Sequence, residues 1–337
     1  MSQNIIITGI AGFVGSHLAD LILGQPGNYT IHGIVISDPN TQAQPNLAHL
    51  DGNERLKLYA LDMSEMEALS KLVTELRPDY IFHLAARSHI APSFANPAET
   101  LQNNLTSTLN LFEIAKRLKQ QSGYNPAILN TGSGDQYGFI LPEELPVQEN
   151  QPFRPGSPYA VSKITQEMLG YQYWRSFGLR IFNTRAFNQL GPRQNPELAT
   201  ATFAHQIALL ERAHRHGQAV APLRVGNLDS SRDYTDVRDM VRGYWMALHS
   251  SKCEPGKPYN ICSGKDWKIS HVLQMLLEHA NCPIKVENDP ARMRPSDVPE
   301  VRGDSSRFRE ATGWQPQIPL EQSIEDLLNY WRNEVKD

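Results

Sequence analysis

The sequence predicts an α/β fold in which a doubly wound parallel sheet is followed by a smaller mixed α/β domain. Short apolar, β-branched runs alternate with segments of helical periodicity through the first half of the chain, an order typical of β-α-β units. The runs are apolar almost throughout, as expected for strands covered on both faces of a sheet. After Phe187 the loops lengthen and prolines become frequent. A length of 337 residues suffices for two domains of about 100–200 residues each.

The first half divides into alternating strands and helices. A β-branched run at 5–8 and strand-like apolar runs at 31–36, 56–60, 80–84, 127–130 and 180–186 predict six strands. Helical spacing of apolar residues, such as Val14, Leu18 and Ile22, predicts helices at 12–23, 64–76, 98–120 and 157–177. This order predicts a parallel sheet with helices on both faces.

Beyond residue 187 the pattern predicts amphipathic helices at 199–215, 269–280 and 320–335. The segment from about 236 to 263 is expected to return to the first domain. We therefore assign residues 1–187, with about 236–263, to the first domain, and residues 188–235 and 264–337 to the second.

Composition excludes several classes of protein. The net charge is −4 and no basic stripe occurs, which argues against nucleic-acid binding. No uncharged apolar stretch reaches about 18 residues, so no membrane span is expected. The N-terminal run lacks a basic segment and is not a signal peptide. Three cysteines without a CxxC pair fit a reducing compartment, and we expect a cytoplasmic protein.

A glycine-rich turn follows the first predicted strand. Gly9, Gly12 and Gly15 let the backbone turn tightly and approach a pyrophosphate, and the following helix offers free N–H groups to the anion. Phe13 and Val14 lie within this turn and are included in the predicted cofactor site. In this strand-turn-helix context the motif predicts a Rossmann dinucleotide site, although a purely structural turn is the alternative.

Two carboxylates follow later strands of the same sheet. Asp38, at the end of the second strand, can bind the adenosine ribose hydroxyls of NAD(H). No Lys or Arg lies between Gly33 and Glu54 to meet a 2′-phosphate, so we favour NAD(H) over NADP(H). Asp38 also precedes Pro39 and can be a simple turn residue. Asp62, with Met63, is a predicted adenine contact.

The predicted catalytic group lies on the helix at 157–177. Tyr159 and Lys163 are four residues apart and so share one helix face. A nearby cation favours the phenolate, which would lower the Tyr159 pKa toward general acid/base use. Ser133 follows a parallel strand, where ligands of such sheets bind, and can hydrogen-bond a substrate carbonyl. An ordinary surface helix is the alternative for the Tyr-Lys pair.

Together these motifs resemble the extended short-chain dehydrogenase/reductase family. The resemblance rests on TGIAGFVGSHLA, HLAARSHI, the Ser133 turn, YAVSK, RAFNQLGP and YNICSG and covers essentially the whole chain. It implies a Rossmann domain with a nucleotide-sugar-binding C-terminal domain, and catalytic roles for Ser133, Tyr159 and Lys163. It adds Leu84, Ala85 and Ala86 to the cofactor site. It also implies a homodimer or tetramer that uses helices at 103–118 and 157–177.

The second half resembles the GDP-mannose branch of this family, through VGNLDSSRDYTDVRD and the stretch 289–320. That branch contains GDP-mannose 4,6-dehydratases and the reductases that act on their product. The resemblance implies a GDP-sugar substrate, and arginines can clamp its diphosphate. The implied substrate-binding residues are Ser88, Asn188, Asn227, Arg232, Arg294 and Asp297.

The choice between reductase and dehydratase depends on Asp135. Dehydratases of the branch carry Glu two positions after the catalytic Ser or Thr, whereas this chain has the shorter Asp135. We therefore favour reduction of a GDP-4-keto-6-deoxy-hexose by NAD(P)H, with Asp135 orienting a sugar hydroxyl. The alternative is a 4,6-dehydratase, a lyase with bound NAD(P). A remote alternative is a non-catalytic nucleotide sensor, and no metal site is predicted.

Overall fold

The computed structural model describes residues 2–292 and 298–336. The described chain forms strands β1 (Gln3–Thr8), β2 (Tyr29–Val35), β3 (Leu56–Ala60), β4 (Tyr80–His83), β5 (Ala127–Ser133), β6 (Arg180–Ala186), β7 (Asn188–Leu190), β8 (Leu223–Val225), β9 (Ser231–Asp236), β10 (Pro258–Ile261), β11 (Asp266–Lys268), β12 (Val286–Asn288) and β13 (Glu300–Val301). Its helices are α1 (Phe13–Gly24), α2 (Met66–Leu76), α3 (Ile90–Ala95), α4 (Pro97–Ser122), α5 (Pro158–Phe177), α6 (Ala199–Arg215), α7 (Val237–His249), α8 (Ile269–Glu278), α9 (Ser306–Thr312) and α10 (Leu320–Glu334).

The large sheet has seven strands in the order β10-β6-β5-β4-β1-β2-β3, and every neighbouring pair is parallel. The predicted doubly wound parallel sheet is therefore confirmed. The chain reverses its direction of winding between β1 and β4, and ligands of such sheets bind at this point beyond the carboxyl ends of the strands.

Alternate residues of each central strand enter opposite layers. Ile5 and Ile7 of β1 pack with α1 and α7 on one face, whereas Ile6 packs with α2, α4 and α5 on the other. Because side chains alternate along a strand, a run of three isoleucines fills both layers. This two-sided burial explains why the strands are apolar at nearly every position.

The second half of the chain contributes smaller sheets. β9 pairs antiparallel with β11 and parallel with β13 and β7, and β8 pairs with β12. A separate apolar core lies among α6, α8 and α10 and includes Ile207, Leu276 and Leu327. β10, within the segment expected to return, extends the large sheet beside β6.

Two further properties of the described residues bear on the sequence analysis. Within residues 2–292 and 298–336, no helix has both the length and the apolar character needed to cross a membrane. Cys253, Cys262 and Cys282 are buried and free.

Candidate active site

A cavity of about 1020 Å³ opens at the carboxyl ends of the parallel strands. This volume lies at the upper end of the range of about 300–1,000 Å³ for small-molecule sites. The cavity, called the crevice below, is lined by the loops after β1, β2, β3 and β4, by the end of β5, by α5 and by segments of the second half of the chain. Most of the predicted cofactor residues line it: Gly9, Gly12, Phe13, Val14, Gly15, Asp62, Met63, Leu84, Ala85, Ala86, Tyr159 and Lys163.

The glycine-rich turn packs too closely for side chains. Gly9 has φ +69°, and a Cβ at this position would lie 3.1 Å from the Ala85 Cα. A Cβ at Gly15 would lie 2.4 Å from the Gly9 carbonyl oxygen. The turn therefore presents backbone rather than side chains at the start of α1, the geometry that a pyrophosphate requires.

The adjoining loop after β4 is fixed by a buried threonine. The Thr8 hydroxyl accepts hydrogen bonds from the backbone N–H groups of Leu84, at 3.0 Å, and Ala85, at 2.9 Å. It also hydrogen-bonds His83 Nδ1 at 3.1 Å. Burial lowers the pKa of His83 to about 3, so this imidazole is neutral and adds no charge beneath the crevice.

The structure does not bring Asp38 to the crevice. Asp38 is exposed, and its Oδ1 accepts from the backbone N–H of Asn40 at 2.9 Å, which is the turn alternative considered above. The crevice wall at the end of β2 is instead formed by Ile36, Ser37 and Gln44. The strand also ends one residue earlier than predicted, so Ile36 is 75% exposed.

Ser133, Asp135 and Tyr159 are brought together where β5 meets α5. The Ser133 hydroxyl accepts from the Asp135 backbone N–H at 3.1 Å and donates to Asp135 Oδ2 at 3.2 Å. Tyr159, which is 8% exposed, lies close enough for the Ser133 hydroxyl to lower its pKa. β5 runs three residues past its predicted end, and this extension places Ser133 opposite the start of α5.

The electrostatic environment keeps Tyr159 protonated. Burial, followed by the negative charge of Asp135, raises the pKa of Tyr159, and the Ser133 hydrogen bond opposes this only in part. The expected lowering of the Tyr159 pKa by Lys163 is not found, because the Lys163 ammonium lies 6.0 Å from the ring centroid and burial dominates. Tyr159 therefore carries its proton at neutral pH, as a proton donor must.

Lys163 lies deep in the same site. Its ammonium donates to the Thr131 carbonyl oxygen at 2.8 Å, and its side chain is 4% exposed. Burial lowers the pKa of Lys163 from 10.5 to about 8. The ammonium is thus charged at neutral pH but costly to bury, which is typical of functional rather than structural positions.

Tyr244 and Gln189 are among the crevice residues that sequence reasoning missed. Tyr244 of α7 is 2% exposed, lines the crevice beside Gln189 and has a pKa raised by burial. Gln189 Oε1 is buried and has no hydrogen-bond partner among the described residues. A nicotinamide carboxamide could donate to such an oxygen, so these residues fit the predicted cofactor. Tyr244 carries no local signal, since its helix is amphipathic like any other.

The predicted substrate residues divide into two groups. Ser88, Asn188, Asn227 and Arg232 line the crevice beyond the catalytic residues. The Arg232 guanidinium donates to the carbonyl oxygens of Ser231, at 2.8 Å, and Val298, at 2.7 Å, which fixes its orientation. Arg294 and Asp297 lie outside the described residues.

Comparisons with known proteins agree with this geometry. A family profile described as GDP-mannose 4,6 dehydratase matches residues 6–327. The chain is 34% identical to GDP-6-deoxy-D-mannose reductase of Pseudomonas aeruginosa, over all of both chains. It is 27% identical to a GDP-mannose 4,6-dehydratase of Vibrio cholerae, over 97% of this chain and 93% of the relative. A solved structure of RMD from Pseudomonas aeruginosa complexed with NADPH superposes with a TM-score of 0.82 and 33% identity, covering 99% of this chain and 100% of that one.

Proposed function

The chain belongs to the GDP-mannose 4,6-dehydratase family, and from this premise we propose that it reduces the C4 keto group of a GDP-4-keto-6-deoxy-hexose with NAD(P)H. The observation that carries this proposal is the environment of the Tyr159 hydroxyl. It is buried, its pKa is raised by that burial and by the charge of Asp135, and the Ser133 hydroxyl acts on it in the opposite direction. A neutral phenol of this kind donates a proton to an alkoxide as the alkoxide forms.

The two parts of the chain divide the binding task in this proposal. Residues 1–187, with about 236–263, hold the dinucleotide over the glycine-rich turn. Residues 188–235 and 264–337 hold the nucleotide sugar. The pairing of β10 with β6 supports the assignment of the returning segment to the first unit.

Each catalytic side chain has a distinct task. A nicotinamide dinucleotide, when bound, supplies the hydride. Tyr159 donates its proton to the C4 oxygen of the substrate, and the Ser133 hydroxyl hydrogen-bonds that oxygen. Lys163 carries positive charge below about pH 8 and holds the ribose of the nicotinamide dinucleotide when that group is bound.

Asp135 favours the reductase over the dehydratase. A dehydratase needs a second acid/base group that removes the C5 proton and helps the C6 hydroxyl to leave. The Asp135 carboxylate accepts a hydrogen bond from the Ser133 hydroxyl. The Asp135 backbone N–H donates to the oxygen of that hydroxyl, so two hydrogen bonds hold Asp135 against Ser133. An orienting role toward a sugar hydroxyl fits this position. The dehydratase remains the second candidate, because Asp135 is still a carboxylate beside Tyr159.

One assay separates the two activities. The purified protein is incubated with GDP-mannose alone, and separately with GDP-4-keto-6-deoxy-mannose plus NADH or NADPH. We expect oxidation of the reduced cofactor in the second incubation and no change in the first. Loss of water from GDP-mannose without added reductant, detected by mass spectrometry, would identify a dehydratase. If neither incubation gives turnover, the non-catalytic nucleotide sensor would be the remaining candidate function.

For the cofactor we propose NAD(H) rather than NADP(H). Asp38 no longer supports this preference, since it lies outside the crevice wall, but Ser37 and Gln44 at the end of β2 are neutral. The sequence from Gly33 to Glu54 holds no Lys or Arg to pair with a 2′-phosphate. Fluorescence titration should give tighter binding of NADH than of NADPH, and the reverse order would overturn the preference.

The GDP moiety is proposed to bind along the second-half wall of the crevice. Arg232 supplies positive charge for the diphosphate, and Ser88, Asn188 and Asn227 supply polar contacts. Arg294 and Asp297 complete the set implied by the sequence.

We also propose a homodimer formed through α4 and α5. These helices pack against each other, and their outer surface exposes apolar side chains that a monomer would leave in water: Leu109 (40%), Val161 (40%), Met168 (44%) and Tyr171 (48%). Large apolar side chains exposed on neighbouring helices are expected at an interface between subunits. The free buried cysteines fit the proposed cytoplasmic location.

A further inference from the structure

A buried polar network lies behind the catalytic serine. The Ser133 backbone N–H donates to Gln136 Oε1 at 2.8 Å, and Gln136 Nε2 donates to Glu167 Oε2 at 2.8 Å. Arg185 donates hydrogen bonds to both carboxylate oxygens of Glu167, from Nε at 2.8 Å and from Nη2 at 2.7 Å. Gln136, Glu167 and Arg185 are at most 3% exposed. None of the three lines the crevice, and the mechanism above does not use them.

The network fixes the orientation of the Gln136 amide. A carboxylate in an ion pair only accepts hydrogen bonds, and both oxygens of Glu167 accept from Arg185 in a buried ion pair. Gln136 must therefore point its NH₂ group at Glu167 and its oxygen at Ser133. A Cβ on Gly132 would lie 2.3 Å from Gln136 Oε1, so the amide lies directly against the backbone of β5.

Glu167 also connects the serine turn to the catalytic helix. Tyr159, Lys163 and Glu167 are spaced four residues apart along α5 and share one face. Lys163 holds β5 through the Thr131 carbonyl oxygen, and Glu167 holds the turn after β5 through Gln136. One rigid helix face thus contacts the strand at two points, on either side of Ser133.

We infer that Glu167 and Gln136 are positioning residues that set Ser133 relative to Tyr159, with Arg185 holding the Glu167 carboxylate in place through the buried ion pair. This inference rests on the proposed function, because it assigns Ser133 to the substrate carbonyl. Ser133 and Gln136 form a capping box on a short 3₁₀ turn, which is a common local stabiliser. A capping box does not require the further hydrogen bond from Gln136 to Glu167 or the buried ion pair between Glu167 and Arg185.

The test is a double-mutant cycle between Gln136→Met and Ser133→Ala. Gln136→Met removes the hydrogen bond to Ser133 but leaves Glu167 paired with Arg185. A misplacement of about 1 Å can cost about 100-fold in rate, so we expect kcat to fall about 10- to 100-fold. Because the effect passes through the Ser133 hydroxyl, the double variant should match Ser133→Ala within about 2-fold.

A matched control separates positioning from general stability. Tyr137→Phe removes hydrogen bonds to Arg185 and Asn260 in the same buried cluster without touching Gln136, Glu167 or Ser133. We expect a lower melting temperature but kcat within about 2-fold of wild type. Gln136→Asn, which stays polar but ends one methylene short of Ser133, repeats the cycle if the Met variant does not fold.

The possible outcomes are distinct. If the wild-type protein turns over the keto-sugar, two results would overturn the positioning role alone. One is an undiminished kcat in the Gln136 variants. The other is a double variant in which the kcat losses of the two single variants add. An equal kcat loss in Tyr137→Phe would also overturn it, since stability would then explain the effect. A wild-type protein without turnover of the keto-sugar would overturn the proposed function, and this role with it.

Discussion

Replacing Lys163 by Met should stabilise the protein at neutral pH while removing its activity. Lys163 is 4% exposed, and burial lowers its pKa from 10.5 to about 8. At about 1.4 kcal/mol for each pH unit, this difference corresponds to about 3 kcal/mol of folding free energy lost below pH 8. The deleted hydrogen bond to Thr131 contributes about 1–2 kcal/mol in the opposite direction. The net gain at pH 7 is therefore about 1–2 kcal/mol.

The gain should disappear as the pH rises. The unfolded chain keeps the Lys163 proton up to about 10.5, whereas the folded chain releases it near pH 8. The unfolded state therefore binds more protons between these values, and wild-type stability rises with pH across this window. By pH 10 the remaining penalty is about 1 kcal/mol, so Lys163→Met is then no more stable than wild type.

Urea unfolding followed by tryptophan fluorescence at pH 7 and pH 10 measures this difference. Lys71→Met is the matched control, because the Lys71 side chain is 78% exposed and its replacement should leave the comparison between the two pH values unchanged. The burial argument would be refuted if the gain in unfolding free energy of Lys163→Met over wild type were equal at both pH values, or larger at pH 10. Retained kcat would remove Lys163 from the proposed mechanism.

Three further predictions concern the remaining parts of the site. Tyr159→Phe should lose about 100- to 10,000-fold in kcat while NAD(P)H still binds by fluorescence titration; near-normal kcat would contradict the proton transfer. Gly15→Ala should abolish NAD(P)H binding, because its Cβ would lie 2.4 Å from the Gly9 oxygen; unchanged titration would contradict this. Met168→Glu should convert the proposed dimer to a folded monomer in light scattering, and an unchanged mass would count against the α4-α5 interface.

Periodicity predicted the elements that have long apolar patterns. The strands at 56–60 and 180–186 and the helix at 199–215 have the predicted bounds. The strands β7 to β13 and the helices α3, α7 and α9 were not predicted. β7, β8, β11, β12 and β13 have only two or three residues each, too few for a period, and each is fixed by pairing with distant chain. β9 has six residues, but its sequence SRDYTD is mostly polar and gives no apolar run.

Local motifs predicted the parts of the crevice that one short segment builds. The glycine turn and the Tyr159-Lys163 pair line the crevice as expected. Asp38 does not line the crevice, because its side chain accepts from the Asn40 backbone N–H and closes a turn. The sequence distance between Asp38 and the glycines does not reveal this turn. The raised pKa of Tyr159 depends on burial and on Asp135, which follow only from how β5 and α5 meet.

The spacing of Tyr159, Lys163 and Glu167 adds specificity that a Tyr-Lys pair lacks. Such a pair occurs by chance on surface helices, where neither residue needs a partner. Glu167 is a third residue of the same helix face, and Gln136 connects it to the serine turn. Burying such a charged residue costs folding free energy. Replacing a buried ion pair by apolar residues is often neutral or stabilising, so stability alone does not account for Glu167 and Arg185. Their connection to Ser133 supplies a reason, because it makes the distance between two catalytic side chains depend on one rigid helix.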